Sequence, residues 1–326
     1  MKLSVVMAVY NGASYVEQAI NSILGQTYGH FEFIIVDDGS TDDTWSRLTA
    51  ITDHRVKPYR LPSNRGTPYA LNRAVLAARG DWIAVQDADD ISLPDRLAVQ
   101  TDYIREHPGL AAVGSLIACI GEEGIDPARL RRIEANLNYA ADDGEELFAS
   151  RYLVCPLCHG SAVYSKAQFM RVGGYETAYP ITHDYDLWLK LFRLGTIEKI
   201  NRVLYNYRVH PASLSHHNAT DTYAQKLLCS LRRLCEYEYV GIPGLVRLIV
   251  FGSETLCRLV RKRVVPQCRV TVHSYFNQAS YAESALNLWS SGEADGIVLL
   301  KSEYRNDLTD YFMSGGMTMN GSLFRL

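Results

Sequence analysis

Two short segments concentrate the acidic chemistry of the chain: Asp37-Asp38-Gly39-Ser40 and Asp87-Ala88-Asp89-Asp90 together hold five carboxylates. Carboxylates crowded together resist ionising together unless a cation neutralises them. Asp87 and Asp89 stand two positions apart, so an extended backbone puts both on one side, which suits oxygen ligation of Mg²⁺ or Mn²⁺ completed by substrate phosphates. Aspartate-rich turns and helix starts are the plain alternative for either segment taken alone. The chain has no Gly-x-x-x-x-Gly-Lys-Ser/Thr run, and Gly12 stands alone after the first apolar stretch, so neither a P-loop nor a dinucleotide fingerprint is present. Cys155-Pro156-Leu157-Cys158-His159 matches the pattern of covalent haem attachment. That chemistry goes with export, and zinc would want a second Cys/His pair at suitable spacing.

The elements that must position these residues alternate. Leu3–Val9, Phe31–Val36 and Trp82–Val85 read as buried strands, with Val56–Arg60 as a short one. Between them, Ser14 with Glu17 reads as a capping box for a helix carrying Val16, Ala19, Ile20, Ile23 and Leu24. Pro68 suits the first turn of a helix through Ala78, and Pro94 opens another through Ile104. Strands separated by helices imply a mostly parallel sheet covered on both faces, with ligands outside the carboxyl ends of the strands. Three strands end in polar clusters, at Tyr10-Asn11-Gly12, at Asp37–Ser40 and at Gln86–Asp90, so one rim should gather the carboxylates. That shared position makes turn chemistry a poor account of both acidic segments at once.

The length of 326 residues corresponds to about two domains of roughly 150 residues. With 47% hydrophobic and 21% charged residues the chain is ordinary and globular, and a formal charge of -3 gives no broad cationic footprint for nucleic acid. Seven cysteines, an odd count, fit reduced thiols in the cytoplasm. Leu3–Val9 is too short for a signal peptide's apolar region, and no run of 18 apolar residues is present.

With these residues in hand, the chain resembles the family 2 glycosyltransferases. The likeness is carried by Val5–Asn11, Ile35–Asp42, Asp87–Asp90 with Pro94-Asp95-Arg96-Leu97, Val172-Gly173-Gly174-Tyr175, His183–Leu189 and Tyr207–Pro211, in order over about residues 1–215. The resemblance implies an α/β GT-A fold over residues 1–218, followed at 219–326 by a mostly helical C-terminal extension. It implies inverting transfer of a sugar from a nucleotide-diphosphate donor, a UDP-sugar by preference, to a hydroxyl of a saccharide or lipid-linked acceptor in cell-surface polysaccharide or glycolipid assembly. A sugar-nucleotide-binding partner subunit without turnover is the rival reading.

Carried over position by position, the resemblance puts Ala8, Tyr10, Asp38, Asn64, Arg65, Gly66, Asp87 and Ala88 at the nucleotide. Asp87, Asp89 and His210 become the ligands of Mn²⁺ or Mg²⁺, and His159 and Asp90 line the acceptor side. Asp184 is the base expected opposite the leaving diphosphate. His183 stands where the family has an acid, which leaves open whether it shares that role. At the other end, Gly244–Pro266 carries Arg247, Arg258, Arg261, Lys262 and Arg263 against Glu254 among apolar residues. Leu245–Val264 reads as one long helix, either lying on the inner face of an anionic membrane or packed on the rest of the protein.

Overall fold

The computed structural model describes residues 1–122, 124–140, 142–211, 219–301 and 306–326. The chain divides into two compact units, Met1–His217 and Asn218–Leu326. The expected boundary at residue 218 falls outside the described residues.

The first unit runs β1 (Leu3–Val9), α1 (Val16–Leu24), β2 (Phe31–Asp37), α2 (Thr44–Thr49), β3 (Val56–Arg60), α3 (Thr67–Ala77), β4 (Trp82–Val85), β5 (Ile91–Ser92), α4 (Arg96–Glu106) and β6 (Leu110–Gly121). It continues with α5 (Pro127–Leu137), α6 (Gly144–Ala149), β7 (Val163–Ser165), α7 (Lys166–Arg171), α8 (His183–Leu191) and β8 (Thr196–Val209). The eight strands form one sheet in the order β3-β2-β1-β4-β7-β6-β8-β5. Strands β3, β2, β1 and β4 are parallel, whereas β7 is antiparallel to β4 and β6.

The apolar run of β1 has no polar side because both faces are covered. Val5, Met7 and Val9 pack with Ile20 of α1 and Leu97 of α4, while Val6 faces Leu71 of α3 and Leu187 of α8. Helix α1 starts without the expected capping box. Tyr15 occupies the cap position with no side-chain bond, and the Gly12 carbonyl accepts from the Tyr15 and Val16 amides instead.

The second unit runs α9 (Ala219–Tyr237), β9 (Val246–Phe251), α10 (Glu254–Leu259), β10 (Val270–Phe276), α11 (Ala282–Ser290), β11 (Gly296–Leu299), α12 (Asn306–Ser314) and β12 (Leu323–Arg325). Its helices outweigh its strands, but they pack on a four-stranded parallel sheet in the order β10-β9-β11-β12. The long helix expected over Leu245–Val264 is therefore corrected. Its first half is the interior strand β9, with Leu248 and Ile249 fully buried. Arg247, Arg258 and Arg263 pair with Asp295, Glu254 and Asp221, and Arg261 lies over the Tyr275 ring. Within 244–266, Val246, Leu248–Phe251, Cys257, Val260 and Val264 are buried in the second unit. Among the described residues, no helix is long and apolar enough to cross a membrane.

Candidate active site

Register brings the acidic segments together. Val9, the last residue of β1, pairs with Asp37, the last of β2, so the two following loops leave the sheet level with each other. Strand β4 stops at Val85 opposite Val6, and Gln86–Asp90 then runs past the end of β1. The loops after β1 and β2 are tied: the Asn11 amide donates to Ser40 Oγ at 2.9 Å, and the Thr41 amide donates to Asn11 Oδ1 at 2.8 Å.

Asp38 is buried, 2% exposed, and its two oxygens accept from the amides of Arg65 and Gly66 at 2.8 Å each. Burial pushes its carboxyl above the ordinary range, against the pull of those two bonds. Gly39 makes the contact possible. It has φ +76°, and a Cβ there would meet the Ser63 backbone at 2.6 Å. Asp38 thus folds the Asn64-Arg65-Gly66 segment over the end of β2. Ala8 is half-buried beside it and Tyr10 is 46% exposed at the rim.

The loop after β4 rests on a buried polar network. Arg96, wholly buried, donates through Nη2 to the Val85 carbonyl at 2.9 Å and the Ala162 carbonyl at 3.3 Å. Its Nη1 reaches Ser92 Oγ at 2.9 Å and its Nε reaches Gln100 Oε1 at 3.1 Å. Gln86 donates to the carbonyls of Asp87 and Asp90, both at 3.0 Å. These bonds fix both ends of Asp87–Asp90 before any ligand arrives.

Within that loop the carboxylates part company. Asp89, one-third exposed, meets His210 Nε2 at 2.9 Å. The ring of His210 lies 4.9 Å from that of Tyr15, whose hydroxyl donates to Glu122. Asp87, also one-third exposed, meets His159 Nδ1 at 3.3 Å. Burial would raise the Asp87 carboxyl, but the His159 charge and hydrogen bond hold it below its ordinary value. Burial works the other way on His159, and Asp87 overcomes it to keep that ring readily protonated. Asp90 is 1% exposed, and its Oδ1 accepts from the Arg208 amide at 2.6 Å. Burial, then the charges of Asp89 and Asp87, push its carboxyl well up. Asp90, expected on the acceptor side, is thus a buried brace for β8. His159 is hydrogen-bonded to Asp87 at 3.3 Å and to the Tyr175 hydroxyl at 2.9 Å.

Asp184 sits half-buried in the first turn of α8, with Cys155 Sγ 3.9 Å from its Oδ2. Burial raises its carboxyl, and the negative charge of Asp87 adds to the effect while His159 opposes it. The neighbouring His183 is buried, and desolvation followed by the His159 charge lowers its imidazole to about 3. It is neutral at physiological pH and a far weaker base than an ordinary histidine.

Asp87, Asp89, His159, His210 and Asp184 come together around the loop after β4, while Ala8, Tyr10, Asp38 and Asn64–Gly66 line the adjoining rim. Arg96, Tyr15, Arg208 and Tyr175 act on the site without having been singled out for it. Of these, Arg96, Arg208 and Tyr175 lie inside motifs quoted from the sequence, and a buried arginine carries no periodic signal. Among the described residues, no three His, Cys, Asp or Glu side chains are grouped to hold a metal ion by themselves. Asp89 with His210 nevertheless fits a hard divalent ion of the kind that keeps one or two protein ligands and takes the rest from phosphates and water.

A family model described as Glycosyl transferase family 2 matches residues 4–172. An uncharacterized glycosyltransferase of Haemophilus influenzae is 32% identical over 81% of this chain and 97% of its own length. The putative glycosyltransferase EpsE of Bacillus subtilis is 29% identical over 82% of this chain and 95% of its own. Among solved structures, S. aureus TarS in complex with UDP aligns with a TM-score of 0.54 at 20% identity, covering 72% of this chain and 66% of that one. The mannosyltransferase PcManGT of Pyrobaculum calidifontis, in complex with GDP-Man and Mn²⁺, aligns with a TM-score of 0.54 at 23% identity, covering 72% and 64%. The chain thus spans just under two thirds of each of these solved chains.

Proposed function

The chain belongs to glycosyl transferase family 2, has a GT-A fold and is a glycosyltransferase; on that premise we propose that it transfers a sugar, with inversion, from a nucleotide diphosphate to an acceptor hydroxyl. The supporting observation is that the loop after β4 presents two partly exposed carboxylates at the end of the sheet, Asp89 against His210 at 2.9 Å and Asp87 against His159 at 3.3 Å; the charges of Asp87 and His159 are also felt by Asp184. The first unit carries this reaction, and the second is a separate α/β module.

In this reading the nucleotide lies along Ala8, Tyr10 and the Asn64-Arg65-Gly66 segment that Asp38 holds in place. Asp89 and His210 would hold Mg²⁺ or Mn²⁺, which when bound offsets charge on the departing diphosphate. Asp87 faces the donor from the same loop. Asp184 takes the proton of the acceptor hydroxyl while that oxygen forms its bond to the anomeric carbon and the bond to the diphosphate breaks. Attack from the face opposite the leaving group inverts the centre. A carboxyl raised by burial suits this role, because a base closer to the working pH drives proton transfer better. His183, neutral and weakly basic, leaves that role to Asp184. UDP-linked donors and a saccharide or lipid-linked acceptor are the expected substrates, in keeping with the nucleotide-bound state of the structurally similar TarS.

The test is incubation with UDP-, GDP- and dTDP-sugars and Mn²⁺, following nucleotide release and reading the anomeric configuration of the product by NMR. Release from one donor class with an inverted product supports the reading. Retained configuration, or no turnover of any donor with added saccharide or lipid-linked acceptors, overturns it.

A further inference from the structure

The turn His159–Ser161 sits against Asp87 more closely than packing alone requires. Gly160 is the telling position. A Cβ built there would lie 1.9 Å from the Tyr205 hydroxyl and 2.8 Å from Asp87 Oδ2. Tyr205 is fully buried and its hydroxyl receives the Asp87 amide at 3.2 Å, so it has no room to yield. The turn itself is anchored from behind, since Gln100 donates to the Ser161 carbonyl at 2.8 Å and the Ser161 hydroxyl donates to the Cys158 carbonyl at 2.9 Å.

His159 completes the arrangement. Its Nδ1 meets Asp87 Oδ1 at 3.3 Å and its Nε2 meets the Tyr175 oxygen at 2.9 Å. The Tyr175 hydroxyl in turn donates to Tyr164, 3.1 Å away and fully buried. A chain of side chains therefore runs from the core through Tyr164, Tyr175 and His159 to one oxygen of Asp87, while the bare backbone at Gly160 packs beside the other.

We propose that the His159-Gly160 turn is a positioning element for Asp87, with Tyr164 and Tyr175 fixing the imidazole and Gly160 fixing the second carboxylate oxygen. This assignment replaces the acceptor-side role expected for His159, and it rests on the reading that Asp87 faces the donor. Its consequence is a division of labour in the loop: Asp87 is set by the protein in advance, whereas Asp89 is set with His210. The function of His159 is exerted through Asp87, and its own contact with substrate is not required.

Two substitutions separate the ends of the imidazole. His159→Asn keeps an N–H donor near the place of Nδ1, toward Asp87, and loses Tyr175. His159→Gln keeps one near the place of Nε2, toward Tyr175, and loses Asp87. Both remove the same ring packing, so a purely structural role lowers both alike. Binding of UDP, GDP and dTDP with Mn²⁺ is measured by calorimetry on the full chain. For the nucleotide that binds wild type, the Asn variant should stay within about threefold and the Gln variant should weaken at least tenfold, the scale of one lost charge-assisted hydrogen bond. In an Asp87→Ala background, adding His159→Gln should change affinity less than twofold. Equal losses for Asn and Gln, or a full further loss in the Asp87→Ala background, overturn the proposal. Should wild type bind none of the three nucleotides, the donor-site reading fails, and crystal structures of the same variants still decide the positioning. Asp87 should hold its rotamer in His159→Asn and leave it in His159→Gln and in Gly160→Ala; an unmoved Asp87 in all three overturns the inference.

Discussion

Arg96 offers the sharpest test of how the acidic loop is held. The guanidinium is wholly buried with no carboxylate bonded to it; it is held by two carbonyls and three polar side chains, those of Gln86, Ser92 and Gln100. Burial lowers its pKa to about 10, which still leaves it charged. Replacing it with methionine keeps the volume and removes the donors. Ala162 retains the Val85 amide as a partner, and Ser92 retains Gln86, so the acceptors stranded are chiefly the Val85 carbonyl and Gln100 Oε1. Each stranded acceptor costs about 1–3 kcal/mol, and relief from burying the cation offsets part of the sum. The net loss for Arg96→Met is therefore about 2–4 kcal/mol, or roughly 5–15 °C in Tm for a unit of this size. Lysine, with one compact ammonium in place of the planar fork, should fall between the two proteins. Urea unfolding read by circular dichroism measures the loss. In the folded Arg96→Met variant, nucleotide affinity should also drop, because the carbonyls that fix the loop at Val85 have lost their clamp. A loss below about 0.5 kcal/mol would show that this network does not hold the site.

Other expectations follow from the same geometry. Asp184→Asn should retain nucleotide binding and lose transfer by roughly 10²–10⁴-fold, measured by calorimetry and initial rates. Because burial raises the Asp184 carboxyl, transfer should fall as pH drops through a midpoint above the ordinary carboxylate range, and His183→Gln should leave that acid limb in place. His183 itself is lowered from 6.5 to about 3, so the fold favours its neutral form and loses that contribution as pH falls from about 6.5 toward 3. Relative to His183→Phe, wild type should lose about 2 kcal/mol more stability between pH 7 and 5, as read by denaturant titration. Asp89→Ala and His210→Ala should each raise the Mn²⁺ concentration for half-maximal activity, and the double variant should fall short of the product of the two effects. Leu248→Ala should destabilise the second unit by about 2–5 kcal/mol, whereas a peripheral membrane residue would leave unfolding unchanged and alter vesicle flotation.

The strands of the first unit and its rim of carboxylates were legible because β1, β2 and β4 are apolar on both faces and end in polar clusters, acidic after β2 and β4, a pattern that survives without knowledge of the fold. The failures have physical causes. Val246–Phe251 is buried apart from Arg247, so it has neither the period of a helix nor that of a half-buried strand, and in sequence it merges with the helix that follows. Gly252 marked the true boundary: a Cβ there would meet Leu300 at 2.8 Å. Asp87, Asp89 and Asp90 look alike in sequence, yet one faces His159, one His210 and one the interior. Only the return of β8 beside β6, and the amide of Arg208 that it brings, decides that Asp90 is buried. Likewise the partnership of Tyr15 with Glu122 and His210 joins residues from three distant elements, and no local spacing announces it.

If the loop after β4 and the end of β8 form a single metal and diphosphate site, manganese and nucleotide must meet there. Crystals grown with UDP and Mn²⁺ and measured at the manganese absorption edge test it most directly. An anomalous peak beside Asp89, His210 and the diphosphate oxygens is expected. Nucleotide bound with its diphosphate and manganese both away from these two side chains would contradict it.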